Sequence, residues 1–512
     1  MNKSVMLSLK VVTFLHMVMV TRQHVLSIAQ GLMRGVARDG HVSYTGIPYA
    51  NITSTTGRFT RAGIAPLWPG IRESRATTCT STSEAADCLL LDVHAPSAVG
   101  ANWPVLVWVT GGSGPYHPGK VVQEGIIVVV VHHRLGPVGF LCMGDEKVPG
   151  NAGVKDVVLA LRWVRDNIVA FKGNPDKVVL AGQSFGAAMV EAVVLSSMAS
   201  GLYHGAILQS GSALSPWAFN YDAEERAKAL RTATNIADDD EDLMKSLLES
   251  QIDDLVDNAN KLDVPYFSFG MCIESPLKKE ERLLSEAPYD LLLNKKGNSV
   301  PMIIGYNNNE AYVFASILRE GNVLRRMSGD LSFLLPDELK FFNNRERKQI
   351  GRQIKDIYFK GNSSMAAVLA YHRDAYFASH IHRSVRLHVT SAPVFYYQFS
   401  YSGEVGVQPE PGLQKKGAAH SDELAYLFYD GNLEGEDGVM QKRLIKLWTN
   451  FVQHLNPSHQ SDVSWELSRP GNYRLLDIGA DMKMIDYPHS KVMRMWDDIY
   501  EKYYYTRNRI AN

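Results

Sequence analysis

The sequence predicts an α/β protein: a large, doubly wound, mostly parallel sheet with helices on both faces. Three observations point there. Short β-branched apolar runs alternate with longer stretches of helical periodicity. The strand-like runs are apolar at every position, as strands covered on both sides must be. No internal repeat or low-complexity linker divides the chain, so residues 23–512 are expected to form a single domain.

In chain order, PVLVWV (104–109) and IIVVVVHH (126–133) read as buried strands. AGVKDVVLALRWVRDNIVAF (152–171) places its apolar residues at helical spacing, and KVVLAG (177–182) is again a buried strand. AAMVEAVVLSS (187–197) reads as a helix and GAILQSG (205–211) as a strand. Further on, VPMIIGY (300–306) and PVFYYQFSY (393–401) carry strand signals. The stretches 222–251 and 440–455 are helical candidates.

Composition narrows the function. The 512 residues are 45% hydrophobic and 21% charged, with a net charge of −1. Such a chain can wall off a deep apolar pocket but has no bulk field for nucleic acid or an anionic membrane. A neutral, largely apolar small molecule is the natural ligand. Beyond the N-terminus no stretch reaches the ~18 uninterrupted apolar residues of a membrane span. Residues 1–22 have a basic start and an apolar stretch, Val5 to Val20, interrupted by Lys10 and His16. This reads as a secretory signal, with an amphipathic helix on a cytoplasmic protein as the alternative. Asn51 and Asn362 fit the glycosylation sequon. Cysteines stand at 79, 88, 142 and 272, with none of the spacings of a zinc site, and no metal or cofactor is expected. Cys79 and Cys88 are close enough to close a small loop, which would imply an oxidising compartment. Cys142 and Cys272 have no evident partners and are expected to be free core thiols.

The stretch that carries chemistry is VVLAGQSFGAAMVEAVV, which holds Gly182-Gln183-Ser184-Phe185-Gly186. A buried strand runs into this G-x-S-x-G and an Ala-rich helix runs out. That is the context of a nucleophile elbow, with Ser184 at its tip. The plainer reading is a strand-to-helix turn with an N-capping serine. A serine hydroxyl needs a base, and the base an orienting carboxylate, in the chain order Ser, acid, His. Glu310 follows a buried strand in an Asn-rich turn, and His420 lies in the small-residue turn GAAHSDELAYLF. His133, at a strand end, reads as structural.

A second glycine-rich turn, TGGSGPYHPGK (110–120), spells most of a P-loop from Gly114. That reading fails. Val121 stands where the magnesium-binding hydroxyl belongs. Pro115 and Pro118 lack the N–H groups a phosphate nest uses. Too few residues follow Lys120 for the helix a P-loop opens.

From about residue 28 onward the chain resembles the carboxylesterase/cholinesterase family of α/β-hydrolases. YTGIPYA, GRF (57–59), DCLLLDVHAP, RLGPVGFL, PGNAGVKD, LALRWVRDNI, GQSFGA, ILQSGSALSPWA, the Glu310 turn, GAAHSDELAYLF and LWTNFVQHLNP fall in family order. Within the family the likeness runs toward insect carboxylesterases, including the juvenile-hormone-esterase-like branch. The resemblance implies an α/β-hydrolase fold. It implies Ser184 as nucleophile, Glu310 as acid and His420 as base. It implies an oxyanion hole from the N–H groups of Gly112, Ser113 and Phe185. Ser210 matches a serine that supports the acid and the histidine, Trp217 an aromatic on the acyl side, and Cys79–Cys88 a disulfide.

The chain also departs from the family pattern. Ser113 and Gly114 replace a glycine and an aromatic, and Phe185 replaces an alanine, which puts the oxyanion hole at risk of crowding. Ala311 follows the acid in place of glycine, and Val157 replaces a glutamine. AADC (85–88) replaces SEDC, so a salt bridge from Arg58 is expected to be lost. No tryptophan lies between Cys79 and Cys88 to hold a quaternary ammonium, which argues against a cholinesterase. The expected activity is hydrolysis of neutral, largely apolar esters through an acyl-enzyme. The alternative is a weak or inactive member that binds ligands or partners.

Overall fold

A computed structural model describes residues 24–504 apart from 53–54, 78, 113–115, 234–246, 248–249, 263–266, 279, 321–334, 337, 361–363, 409–412 and 489. The expected signal at 1–22, Ser113 and Asn362 lie outside the described residues.

The frame is an eleven-stranded sheet. In chain order its strands are β1 (Val36–Ala37), β2 (His41–Pro48), β3 (Leu90–Pro96), β4 (Trp103–Val109), β5 (Ile127–Val131) and β6 (Gly173–Gln183). They continue as β7 (Gly205–Gln209), β8 (Met302–Asn307), β9 (Val394–Phe399), β10 (Leu475–Ile478) and β11 (Lys483–Ile485). Across the sheet the order is β11-β10-β9-β8-β7-β6-β4-β5-β3-β2-β1. From β5 to β10 neighbours run parallel, with antiparallel pairs at both ends.

The all-apolar strands follow from their position. Along β4, Val105, Val107 and Val109 point into one core, with Val129 of β5 and Leu180 of β6. Leu106 and Trp108 point into the other, with Val128, Val130 and Val179. A helix over Ala152–Asn167 (α1) and another over Phe185–Leu195 (α2) cover the first face. A helix over Gly435–His454 (α3) covers the second. Each fully buried aliphatic side chain contributes roughly 1.5–3 kcal/mol. The alternation along one strand therefore stabilises both layers at once.

Two expectations need correction. Cys142 and Cys272 are not free thiols but form a disulfide across 130 residues, with Cα atoms 6.6 Å apart. The junction is reinforced by Asn151, whose amide donates to the Cys272 carbonyl at 2.9 Å and to Glu274 at 2.6 Å. Lys155 of α1 pairs with Glu274 at 3.0 Å in the same buried place. The segment after Lys120 does carry a helix, Gly119–Gln123, although it is only five residues long. Within 222–251, a helix is described over Ala223–Ala233, and residues 234–246 and 248–249 lie outside the described residues. Cys79 and Cys88 are disulfide-linked as the family resemblance implied. Asn51 is partly exposed, on a short two-stranded ribbon with Gly63–Ile64.

Candidate active site

The C-terminal ends of β4, β6 and β8 converge, and each delivers one part of the site. β6 ends at Gln183, and α2 starts at Phe185. Ser184 between them takes φ 58° and ψ −126°, a strained conformation that lifts its side chain out of the turn. The tight approach explains the glycines. A Cβ on Gly186 would lie 2.4 Å from the Val109 carbonyl oxygen, and one on Gly111 would lie 2.0 Å from that of Gln183.

The Asn-rich turn after β8 works as a clip. The Asn307 backbone N–H donates to Glu310 Oε1 at 2.7 Å, and its side-chain amide donates to the Ala419 carbonyl at 2.7 Å. Asn308 Oδ1 accepts the Ala418 N–H at 2.8 Å, and the Asn309 N–H donates to the Ala418 carbonyl at 2.9 Å. Asp422 accepts the N–H groups of Ala419 and Val407 and pairs with Lys415. The loop that carries His420 is thus tied to the turn that carries Glu310, and His420 Nδ1 meets Glu310 Oε2 at 2.5 Å. Glu310 is completely buried and His420 nearly so. Burial alone would push the His420 pKa down, but the Glu310 carboxylate, aided by Glu423 and Asp422, carries it above its ordinary value.

Ser184 and His420 line one open cavity of about 760 Å³, together with Gly111, Gly112, Tyr116, Leu424 and Phe428. Among the hydrogen bonds of the described residues none joins the Ser184 hydroxyl to His420. Instead Gln183 Nε2 stands 3.2 Å from His420 Nε2 and donates to Ser421 Oγ at 2.8 Å. Gln183 occupies an unspecified position of G-x-S-x-G, so the motif gave no signal for it.

The residues expected to form the oxyanion hole divide. Gly112 is exposed at the cavity wall, with open space where a Cβ would be. Phe185 is the first residue of α2, so its N–H is among those a helix leaves unpaired, at the positive end of the dipole. Its ring packs edge-on against Phe140 and Phe267, with centroids 4.9 and 5.7 Å away, and takes no part in lining the cavity.

Trp217 is buried, its indole N–H donating to the Tyr376 carbonyl at 2.8 Å. Its ring abuts Phe267 and Phe377, and Phe377 in turn lies 5.2 Å from the His420 ring. These aromatics form a packed cluster that reaches the His420 ring. Ser210 is buried at φ 57°, and its N–H donates to the Gly305 carbonyl at 2.8 Å. Its hydroxyl is buried and makes no hydrogen bond, to the acid and the base included. His133 is buried, with Nε2 on the Thr110 carbonyl at 2.9 Å, and so braces the strand end that opens the glycine-rich turn. Arg134 beside it forms a fully buried pair with Asp156 and donates to the carbonyl oxygens of Arg58 and Thr60. Arg58 itself donates to the Ser250 carbonyl at 2.9 Å.

Sequence reasoning missed Glu423. This carboxylate is fully buried, accepts from Asn307 at 2.5 Å and from Gln209 at 3.1 Å, and Gln209 accepts from the Trp448 indole at 2.8 Å. Burial, with the Glu310 charge next, pushes its pKa up to about 7. No helix among the described residues is long and apolar enough to cross a membrane. Among them no cluster of His, Cys, Asp and Glu is suited to a metal ion.

Known proteins share this architecture. The crystal structure of juvenile hormone esterase from Manduca sexta, with OTFP covalently attached, superposes with a TM-score of 0.83 at 27% identity, covering 93% of this chain and 99% of that one. Carboxylesterase 5A of Felis catus is 30% identical over 77% of this chain and 75% of its own length. Juvenile hormone esterase of Heliothis virescens is 26% identical over 87% of this chain and 88% of its own. The model of the carboxylesterase family matches residues 22–496. The chain belongs to the carboxylesterase family.

Proposed function

We propose that this chain hydrolyses carboxylic esters through Ser184, His420 and Glu310. The observation that carries the reading is the 2.5 Å Glu310–His420 pair at the wall of the cavity into which Ser184 is lifted. Glu310 accepts a hydrogen bond from His420 Nδ1–H, which holds the tautomer with its lone pair on Nε2. Ser184 Oγ attacks the ester carbonyl carbon while His420 Nε2 takes the hydroxyl proton. The N–H groups of Gly112, Ser113 and Phe185 stabilise the resulting oxyanion, each worth about 3 kcal/mol. The C–O bond to the alcohol breaks, and the alcohol leaves with the proton from Nε2. A water molecule then attacks the acyl-enzyme, giving its proton to His420, which returns one to Ser184.

The substrate is a neutral, largely apolar ester. A cavity of about 760 Å³ with Tyr116, Leu424 and Phe428 in its wall suits a small molecule of that kind. Two disulfides suit an oxidising compartment and so a secreted protein. Residues 23–512 act as one domain, since strands from β1 to β11 share one sheet. The experiment is hydrolysis of p-nitrophenyl esters from acetate to octanoate. Wild type should turn over, with a chain-length profile that sizes the acyl side, and Ser184→Ala should not. Equal turnover by the variant would sink the assignment.

A further inference from the structure

The reading of His420 as the base leaves one feature without a role: the Gln183 amide in front of His420 Nε2. We propose that Gln183 is a positioning residue whose amide N–H donates to the His420 Nε2 lone pair in the free enzyme, holding the imidazole neutral, and yields that lone pair to the Ser184 hydroxyl when an ester fills the cavity. The inference rests on the assignment of Ser184 and His420 above.

Glu310 Oε2 stands 2.5 Å from Nδ1, which puts the proton on Nδ1 and makes Nε2 an acceptor. Only a donor can rest against an acceptor. The amide end that faces Nε2 at 3.2 Å is the NH₂ of Gln183, and its two hydrogens suit its two neighbours, Nε2 and Ser421 Oγ. Gln183 is buried and closes β6, so its side chain has little freedom to wander. Ser421 holds φ 71°, a left-handed conformation fixed by the same loop that Asn308 and Asp422 tie down. The amide is therefore oriented from both ends.

The lone pair lies in the plane of the imidazole and accepts one strong hydrogen bond. Gln183 and Ser184 compete for it. The groups that face the ring otherwise favour its charged form: Glu310 across Nδ1, and Glu423 and Asp422 from its own loop, the last paired with Lys415. Glu404 and His117 line the cavity at greater remove, and Phe314 and Phe377 pack on the ring. Gln183 is the neutral donor in this set, and with its NH₂ inward it bonds the neutral imidazole. Protonation would bring Nε2–H against NH₂ and force the amide to turn its oxygen inward, with the Ser421 hydroxyl turning from acceptor to donor.

The test is the pH dependence of kcat/KM on a p-nitrophenyl ester for wild type, Gln183→Met, Gln183→Glu and Ser184→Ala. Methionine keeps the volume and removes the donor. Turnover needs neutral His420, so a raised apparent pKa moves the acid limb to higher pH. Gln183→Met should move it up by about half a unit to one unit, and Gln183→Glu by more than about one unit, since a carboxylate favours imidazolium. The high-pH plateau should change by less than about tenfold in Gln183→Met. An unmoved acid limb in both variants, with Ser184→Ala inactive, would overturn the role of Gln183 while leaving the triad in place. Activity retained by Ser184→Ala would instead overturn the triad on which the inference rests.

Discussion

The two halves of the site are built in opposite ways. Glu310, Asn307 and Glu423 are completely buried, and Asn307 links them by donating to Glu310, to Glu423 and to the Ala419 carbonyl of the His420 loop. Ser184 and Gly112 meet an open cavity, and their placement rests on backbone shape: a strained turn, a helix start and glycines in contact. The acid–base half must hold charge in a fixed geometry, which a dense polar network does. The nucleophile half must admit substrate, which precludes such a network. Position there is enforced by sterics instead.

The contrast predicts how each half breaks. The largest loss should come from the charged half: His420→Ala should lower kcat/KM by about 10⁴-fold or more without lowering the melting temperature by more than a few degrees. A near-normal rate would show that another group serves as base. On the nucleophile side, Gly111→Ala forces a Cβ to within 2.0 Å of the Gln183 carbonyl oxygen. The displaced turn should cost about 10²-fold in kcat, or the fold itself, as a circular-dichroism melt would reveal. A stable variant with unchanged kcat would remove the steric argument.

A third change separates stability from chemistry. Cys272→Ser opens the 130-residue link to Cys142. It should cost about 2–5 kcal/mol of stability in denaturant while leaving kcat of the folded protein within a few-fold. Equal stability with and without the link would mean that the Asn151 and Lys155 contacts alone hold that junction.

The smallest effect concerns Glu423, whose pKa is raised from the usual 4.5 to about 7 by burial first and Glu310 second. A carboxyl that binds its proton more tightly folded than unfolded contributes most stability below 4.5 and loses it as pH rises through about 7. Glu423→Gln should therefore gain in melting temperature relative to wild type between pH 5 and 8. It should also shift the acid limb of kcat/KM to lower pH by less than about one unit, since it removes a negative charge near His420. A Glu423→Gln variant that loses stability relative to wild type over that range would contradict the assignment.

The legible parts of the molecule were those written locally. Strands such as 126–133 announce themselves because a sheet covered on both faces demands apolar residues at every position. The elbow is legible because strand, serine and helix are consecutive. Glu310 and His420 carried weaker signals, an Asn-rich turn and a small-residue turn, and both turns prove to be the clip between them. The Cys142–Cys272 bond was illegible because nothing in a spacing of 130 residues tells that two loops will pack together. Gln183 and Glu423 were illegible for a related reason. Their partners lie on other elements, and burial rather than residue type gives each its effect. The direction of the Phe185 ring, toward Phe140 and Phe267, is likewise set by other elements and carries no local sequence signal.

The central claim is that Ser184 carries the acyl group during turnover. Mass spectrometry of protein quenched during hydrolysis of p-nitrophenyl butyrate tests it most directly. The account predicts one acyl adduct, on the peptide containing Ser184, absent from Ser184→Ala. An adduct on another residue, or steady turnover by Ser184→Ala, would contradict it.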